Sequence, residues 1–430
     1  MFRSIALAGA LMAGLASQAA ADLLVIAQVY RTGPYANNGI PTADAFSDYF
    51  TLLNERDGGI GGEKIIVEEC EFGYDSDRGL ACYMDNRDRG ALAWSPLSTG
   101  TTYKMIPPTM EDGVPMVTMG YGRASAVDGE VFGNIFNPPA NYWHGANAQI
   151  NYIKDVTPDR DMSGLTIGLV YHNSAYGREP IPTLKKLAER EGFTLKLYAV
   201  DHPGKEQQAQ WEAVKADGVD WALLWGWGVM NPTALRTALK VDFPMERVFG
   251  VWWSANETDV MRVGRRAKGY KAINFHAVGT EFSAYNDLNE HVYFAGRAAG
   301  LANNLGTAIY NRGLLTAAIM AEGIRNAQKM HGTAQITPQQ MRDGLEALDI
   351  TEERLAELGF EGFIPPFKMS CANHGGQGLV AVTEFDVRLR GWRQITDYYA
   401  PDRELIDPLI RADADSFAAE MGIERRACAD

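Results

Sequence analysis

Two sets of residues in this sequence have side chains suited to gripping a small molecule without breaking a bond in it. The first lies in ALAWSPLSTGTTYKMIPPTMEDGVPMVTMGYGRASA, residues 91–126. Here Ser98, Thr99, Gly100, Thr101 and Thr102 gather hydroxyls and backbone N–H groups after an apolar run, and Tyr121, Gly122 and Arg123 follow a second apolar run. Hydroxyls, free N–H groups and a guanidinium suit a carboxylate or amide. Ser, Thr and Gly also belong at ordinary helix caps, so position must decide between the two roles. The second set is aromatic: Trp225 and Trp227 in WALLWGWGVMN, then Trp252 and Trp253 in VFGVWWSANE. Indoles are large and are rarely placed on loops without purpose. About half of the four are expected to face a ligand, with Trp225 and one of the 252/253 pair filling a core.

The elements that must position these groups follow from periodicity. LLVIAQVY is a short buried strand, TGPYANNG a turn-forming loop that brings Tyr35 and Asn38 to a possible rim, and Pro41 to Arg56 an amphipathic helix. Asp57-Gly58-Gly59 ends that helix, and KIIVEEC is the next strand. The 91–126 stretch then reads as strand, Ser/Thr/Gly turn, helix-length spacer, strand from Val114 to Met119, and turn. Both turns thus fall at carboxyl ends of neighbouring strands, where open α/β sheets bind ligands. A second series begins at LTIGLVYHN and continues through a helix from Ile181 to Glu191, LKLYAV, a helix around Gln207 to Ala216, WALLWGW, a helix from Pro232 to Val241, and VFGVWW. Strands alternating with helices mean parallel sheets. KAINFHAV is expected to lead back to the first half, a long helix to run from about His291 to Lys329 with a break near Gly300 to Gly306, and the segment from Cys371 to Ile395 to close as a turn and hairpin.

Composition sets the surroundings. MFRSIALAGALMAGLASQAAA has one Arg, a short apolar run and Ala19-x-Ala21, the pattern of a secretory signal cut between Ala21 and Asp22. The formal charge of −14 becomes −15 once Arg3 is removed, which disfavours nucleic acid as a partner. No later stretch is apolar enough to span a membrane, so stable membrane insertion is not expected. In an oxidising compartment the four cysteines are expected to pair as Cys70–Cys82, around a local loop and helix, and Cys371–Cys428, tying the tail back. Cofactor and metal sites are not expected. Gly120-x-Gly122 lacks the rest of a dinucleotide fingerprint, His144, His172, His276 and His374 have no ligand spacing, and Asp75, Asp77 and Asp85 lack the Gly and Glu of a calcium loop.

The segments TGPYANNG, LLNERDGGIGGEKI, EEC, STGTT and VYHNSAYGRE, in this order, resemble the periplasmic binding proteins of the branched-chain amino acid and amide transport type. The resemblance implies an α/β fold of two Rossmann-like lobes with parallel central sheets joined by a multi-strand hinge. It implies residues 22–140 with 278–368 as lobe 1, 141–277 with 369–410 as lobe 2, and 411–430 as a tail. It also implies a monomeric periplasmic receptor that closes on a small molecule and delivers it to an ABC permease. In that family the turns matching Thr99 to Thr102 and Tyr121-Gly122 donate to a ligand carboxylate or amide, and Tyr176 matches a position that closes over the ligand. One departure matters: where amino-acid binders place an acid for the ligand's ammonium, this sequence has Trp252, Trp253 and Ser254, with Glu257 and Asp259 further on. A buried ammonium without a partner is costly. The expected ligand is therefore an aromatic or apolar carboxylate or amide, with a branched-chain amino acid next. A secreted hydrolase lacks a recognisable nucleophile and base, and a sensor for a signalling receptor would share the same ligand site.

Overall fold

The computed structural model describes residues 22–428; the expected signal segment lies outside them. The first sheet contains β1 (Leu23–Val29), β2 (Ile65–Glu71), β3 (Ala93–Pro96), β4 (Met116–Val117) and β5 (Ile135–Phe136), in the order β2-β1-β3-β4-β5. Every pairing in it is parallel. The inner strand β1 is buried along nearly its whole length, whereas in the edge strand β2 only Ile65 is fully buried. The second sheet contains β6 (Thr166–His172), β7 (Thr194–Val200), β8 (Trp221–Trp225), β9 (Val248–Gly250) and β10 (Lys271–Asn274), all paired in parallel. A short ribbon of β11 (Asp349–Ile350) and β12 (Phe367–Lys368) precedes the antiparallel hairpin of β13 (Ala381–Asp386) and β14 (Gly391–Gln394). The hairpin joins the second sheet through β10, giving the order β14-β13-β10-β9-β8-β6-β7. Each sheet centres one lobe.

The helices are α1 (Ala36–Arg56), α2 (Ser76–Asn86), α3 (Thr99–Asp112), α4 (Tyr142–Asp155), α5 (Ala175–Arg178), α6 (Ile181–Glu191), α7 (Gln208–Ala216) and α8 (Met230–Lys240). They continue with α9 (Glu257–Met261), α10 (Ala284–Leu288), α11 (Ala308–His331), α12 (Pro338–Glu346), α13 (Glu352–Glu357) and α14 (Arg403–Met421). Helix α11 packs on α1 in lobe 1. The chain passes between sheets after β5, after β10 and after β12, so several segments form the hinge.

Three local differences from expectation have physical reasons. Helix α1 begins at Ala36, five residues before the expected start, and carries Pro41 as its sixth residue, where the ring gives up one helical hydrogen bond, to the Asn37 carbonyl. The Ser/Thr/Gly turn is a cap followed by helix. Ser98 is the N-cap, its side chain accepting from the Thr101 N–H at 3.3 Å, and Thr99 opens α3. The expected helix over 291–329 is α-helical only beyond its expected break: Asn289–Tyr293 is a π-turn followed by an irregular stretch, and α11 starts at Ala308, its N-cap Thr307 accepting from the Tyr310 N–H.

The C-terminal tail also has structure. The expected boundary at 410 falls inside α14, which packs on the 3-10 turn Ala124–Val127 of lobe 1. Phe417 stacks on Phe132, and Arg425 pairs with Asp128 and Glu130. Disulfides join Cys70 to Cys82 and Cys371 to Cys428.

Candidate functional site

The carboxyl ends of the two sheets face each other across a seam, and the residues just past those ends line a cavity of about 20 Å³. From lobe 1 come Tyr30 after β1, Tyr74 after β2, Leu97, Ser98 and Thr99 after β3, and Tyr121 after β4. From the other side come Tyr142 at the start of α4, Tyr176 after β6, Trp227 after β8, and Trp253 after β9. Seven of these ten residues are aromatic and none is charged, so the walls attract through rings and neutral hydrogen-bonding groups.

The rings brace one another. Trp227 meets Trp253 edge to face with centroids 5.0 Å apart, Tyr121 meets Trp253 at 5.7 Å, and Tyr30 meets Tyr74 at 4.9 Å. Edge-to-face contacts of this kind are favourable because the ring edge is positive and the face negative. Tyr74 adopts φ +64°, the left-handed region that a bulky residue rarely enters. Strain of this sort gathers at ligand sites, where surrounding packing holds it.

The polar groups divide by wall. On lobe 1 the Thr99 hydroxyl accepts from the Gly122 N–H at 3.2 Å and lies 3.3 Å from the Tyr142 hydroxyl. Ser98 and Thr99 mark the amino end of the 14-residue helix α3, whose first N–H groups have no helical partner and carry its positive dipole end. On lobe 2 the Tyr176 hydroxyl donates to the Gly226 carbonyl at 2.9 Å. The Tyr121 hydroxyl and the indole N–H groups of Trp227 and Trp253 are buried and have no hydrogen-bond partner. Trp227, Trp253 and Ser95 temper the upward push that burial gives the Tyr30, Tyr142 and Tyr121 phenols, in each case in a geometry that makes no hydrogen bond.

Other residues expected at the site lie around the cavity instead of on its wall. Gly100 turns toward α2, where an added Cβ would come within 2.6 Å of the Ser76 hydroxyl. Thr101 packs against Gly79 of α2, and the Thr102 hydroxyl donates to the Ser98 carbonyl at 2.8 Å. Gly122, at φ +102°, lies against Thr102. Arg123 reaches away to α14, where it pairs with Asp413 at 2.7 Å and lies over the Phe417 ring; carboxylate pairing keeps its charge out of the cavity. Trp225 sits behind the wall, donating to Gln149 at 3.1 Å.

Trp252, Tyr35 and Asn38 hold the seam between the lobes. The Trp252 N–H donates to the Gly120 carbonyl at 2.9 Å, and its ring stacks on Tyr142. The Tyr35 hydroxyl shares hydrogen bonds with His172 Nε2 and His202 Nδ1, each at 2.7 Å. Asn38 accepts from Asn256 at 3.0 Å and donates to Asp259 at 3.3 Å. Sequence patterns had not singled out Arg312 of α11, which donates to the Trp252 carbonyl at 3.1 Å and to Asn274 at 3.0 Å, with its guanidinium 4.5 Å from the Trp253 ring centroid. Burial lowers its pKa to about 9.

Three buried carboxylates of lobe 2 receive donors from lobe 1. Glu179 accepts from the Tyr103 hydroxyl and from the Ala124 N–H at 3.1 Å. Glu257 accepts from the Ala308 N–H at the start of α11 at 3.0 Å. Asp259 accepts from Asn37 at 3.2 Å and from Asn38. Burial pushes Glu179 and Glu257 up to about 7 and Asp259 up to about 6. None of the three lines the cavity. Among the described residues no group of His, Cys, Asp and Glu is arranged to hold a metal ion, and no helix is long and apolar enough to cross a membrane.

The family model described as periplasmic binding protein matches residues 27–388, which contain every residue on the cavity wall and both sheets apart from the start of β1 and all of β14. The chain belongs to the periplasmic binding protein family. This binding protein is 34% identical, with a TM-score of 0.86, to a solved protein from the Pseudomonas fluorescens group described as an ABC transporter permease, over 95% of this chain and 99% of that one. It shares its fold with a branched-chain amino acid ABC transporter protein from Thermus thermophilus solved with valine, at 20% identity over 89% of this chain and 98% of that one, TM-score 0.76. It also shares it with a solute-binding protein from R. palustris solved with 4-hydroxybenzoate, at 14% identity over 90% and 100%, TM-score 0.72. No curated protein is significantly similar to the chain.

Proposed function

We propose that this periplasmic binding protein captures a small aromatic or otherwise apolar carboxylate or amide between its lobes and delivers it to the permease of an ABC importer. The observation that carries the reading is the wall itself: seven aromatic side chains, no charge, and a helix amino terminus at Thr99. A carboxylate or amide oxygen suits the unpaired N–H groups of α3, and an apolar body suits the rings. A zwitterionic amino acid fits less well. The buried acids of the seam are already engaged, Glu179 with Tyr103 and the Ala124 N–H, Glu257 with Ala308, and Asp259 with Asn37, Asn38 and Asn231, so an ammonium would be buried without a partner. Fold neighbours accept both classes, with valine in the Thermus thermophilus protein and 4-hydroxybenzoate in the R. palustris one; the chemistry of this wall favours the second.

The chain is read as an exported monomer, with residues 22–140 and 278–368 forming one lobe and 141–277 and 369–410 the other. It makes and breaks no bond: closure stores binding energy in the seam contacts and presents the closed form to the permease. Thermal-shift screening of the mature protein against benzoates, apolar aliphatic carboxylates, their amides, and branched-chain amino acids tests the reading. Shifts are expected for the first three groups; shifts confined to the amino acids would overturn it.

A further inference from the structure

The indole N–H groups of Trp227 and Trp253 on the lobe 2 wall are buried without a hydrogen-bond partner, and so is the Tyr121 hydroxyl on the lobe 1 wall. We propose that the ligand bears a second, neutral hydrogen-bond acceptor, such as a hydroxyl, ether, carbonyl or nitro oxygen, which is read by the indole N–H groups of Trp227 and Trp253 together with the Tyr121 hydroxyl. The inference rests on the reading that an apolar carboxylate or amide occupies the cavity, and it adds what the rest of that molecule must carry.

Trp227, Trp253 and Tyr121 are 3%, 4% and 3% exposed, so water does not satisfy them from outside. An indole N–H only donates, and leaving it buried and unpaired carries the full desolvation penalty. The edge-to-face contacts of Trp253 with both Trp227 and Tyr121 bring the three groups into one cluster. Arg312, over the Trp253 ring, adds a cation to the surroundings of that indole. A ligand with only a hydrocarbon body leaves these donors unpaired on closure, whereas an acceptor removes the penalty. A site built to hydrogen-bond its ligand rejects the analogue that lacks the group far more strongly than an apolar pocket rejects a change of one methylene.

Calorimetric titration with near-isosteric pairs tests this: 4-hydroxybenzoate against 4-methylbenzoate, 4-methoxybenzoate against 4-ethylbenzoate, and 5-oxohexanoate against 5-methylhexanoate. The acceptor-bearing member of at least one pair is expected to bind tenfold or more tightly. That ratio is expected to shrink severalfold in Trp227→Phe or Trp253→Phe, and in the milder Tyr121→Phe. In the unsubstituted protein, the indole ¹H–¹⁵N resonances of Trp227 and Trp253 are expected to move downfield with the acceptor-bearing member only, a readout that does not depend on the variants folding. Equal affinities within every pair would overturn this inference and leave the wider reading standing. Failure of every compound in the series to bind would overturn both.

Discussion

The indole N–H of Trp252 in lobe 2 donates to the Gly120 carbonyl in lobe 1 at 2.9 Å, so one hydrogen bond ties the strand end behind Trp253 to the strand end beside Tyr121. Gly120 has φ +66°, and a Cβ there would come within 2.7 Å of the Phe275 ring. The lobes approach this closely because that position has no side chain. Trp252→Phe is expected to raise the ligand Kd about fivefold, the worth of one net hydrogen bond of about 1 kcal/mol. Gly120→Ala is expected to raise it tenfold or more with little change in secondary structure. Calorimetry with circular dichroism checks both, and unchanged affinity in Gly120→Ala would remove the seam from the binding mechanism.

The buried carboxylates make stability and closure depend on pH. Glu179 titrates at about 7, raised chiefly by burial, with Tyr103, the Ala124 N–H, Arg123 and Asp413 as its neighbours. In the unfolded chain a Glu titrates near ~4.3. Between those values the native protein holds the extra proton, so this group's contribution becomes less favourable as pH rises toward 7 and is level above that. Glu179→Gln mimics the protonated form. Its melting temperature relative to the parent is therefore expected to be higher at pH 8 than at pH 5.5. A relative melting temperature that falls over that range would contradict the sign.

At the cleft mouth, Tyr35 bridges to His172 and His202 with a single hydroxyl. The latch forms only when the lobes meet, so it acts on escape more than on entry. Tyr35→Phe is expected to raise the ligand dissociation rate about five- to tenfold and to leave the association rate within about twofold. Stopped-flow tryptophan fluorescence separates the two rates.

The strand and helix alternation was legible because parallel sheets leave long apolar runs such as LLVIAQV and WALLW, and because Gly and Pro punctuate them. Thr99, Tyr121, Tyr176, Trp227 and Trp253 were legible as residues just past strand ends. Tyr30, Tyr74 and Tyr142 stand at similar places, but a Tyr beside a strand usually joins a core, and nothing local marks the difference. The role of Arg123 was hidden because its partner Asp413 lies 290 residues away in α14. Arg312 was equally hidden: inside an Ala-rich helix, an Arg reads as solvated unless its distant carbonyl and amide partners are known.

The Cys371–Cys428 bond, with a sequence separation of 57, closes the tail onto the segment that leads into β13. Chain-entropy bookkeeping gives about 4 kcal/mol for a loop of this length. Replacing both cysteines by Ser is expected to lower the melting temperature by several degrees. Neither cysteine lines the cavity, so ligand affinity is expected to stay within about threefold. Thermal unfolding with calorimetry on the double variant checks both outcomes; a large loss of affinity would mean that α14 also sets the shape of the cleft.

Trapping between facing walls is tested most directly by titrating one aromatic carboxylate into the parent protein and into two variants altered on opposite lobes, Thr99→Val and Trp253→Ala. The expected result is one molecule bound per chain, with each substitution weakening binding at least tenfold. Binding that survives either substitution unchanged would contradict it.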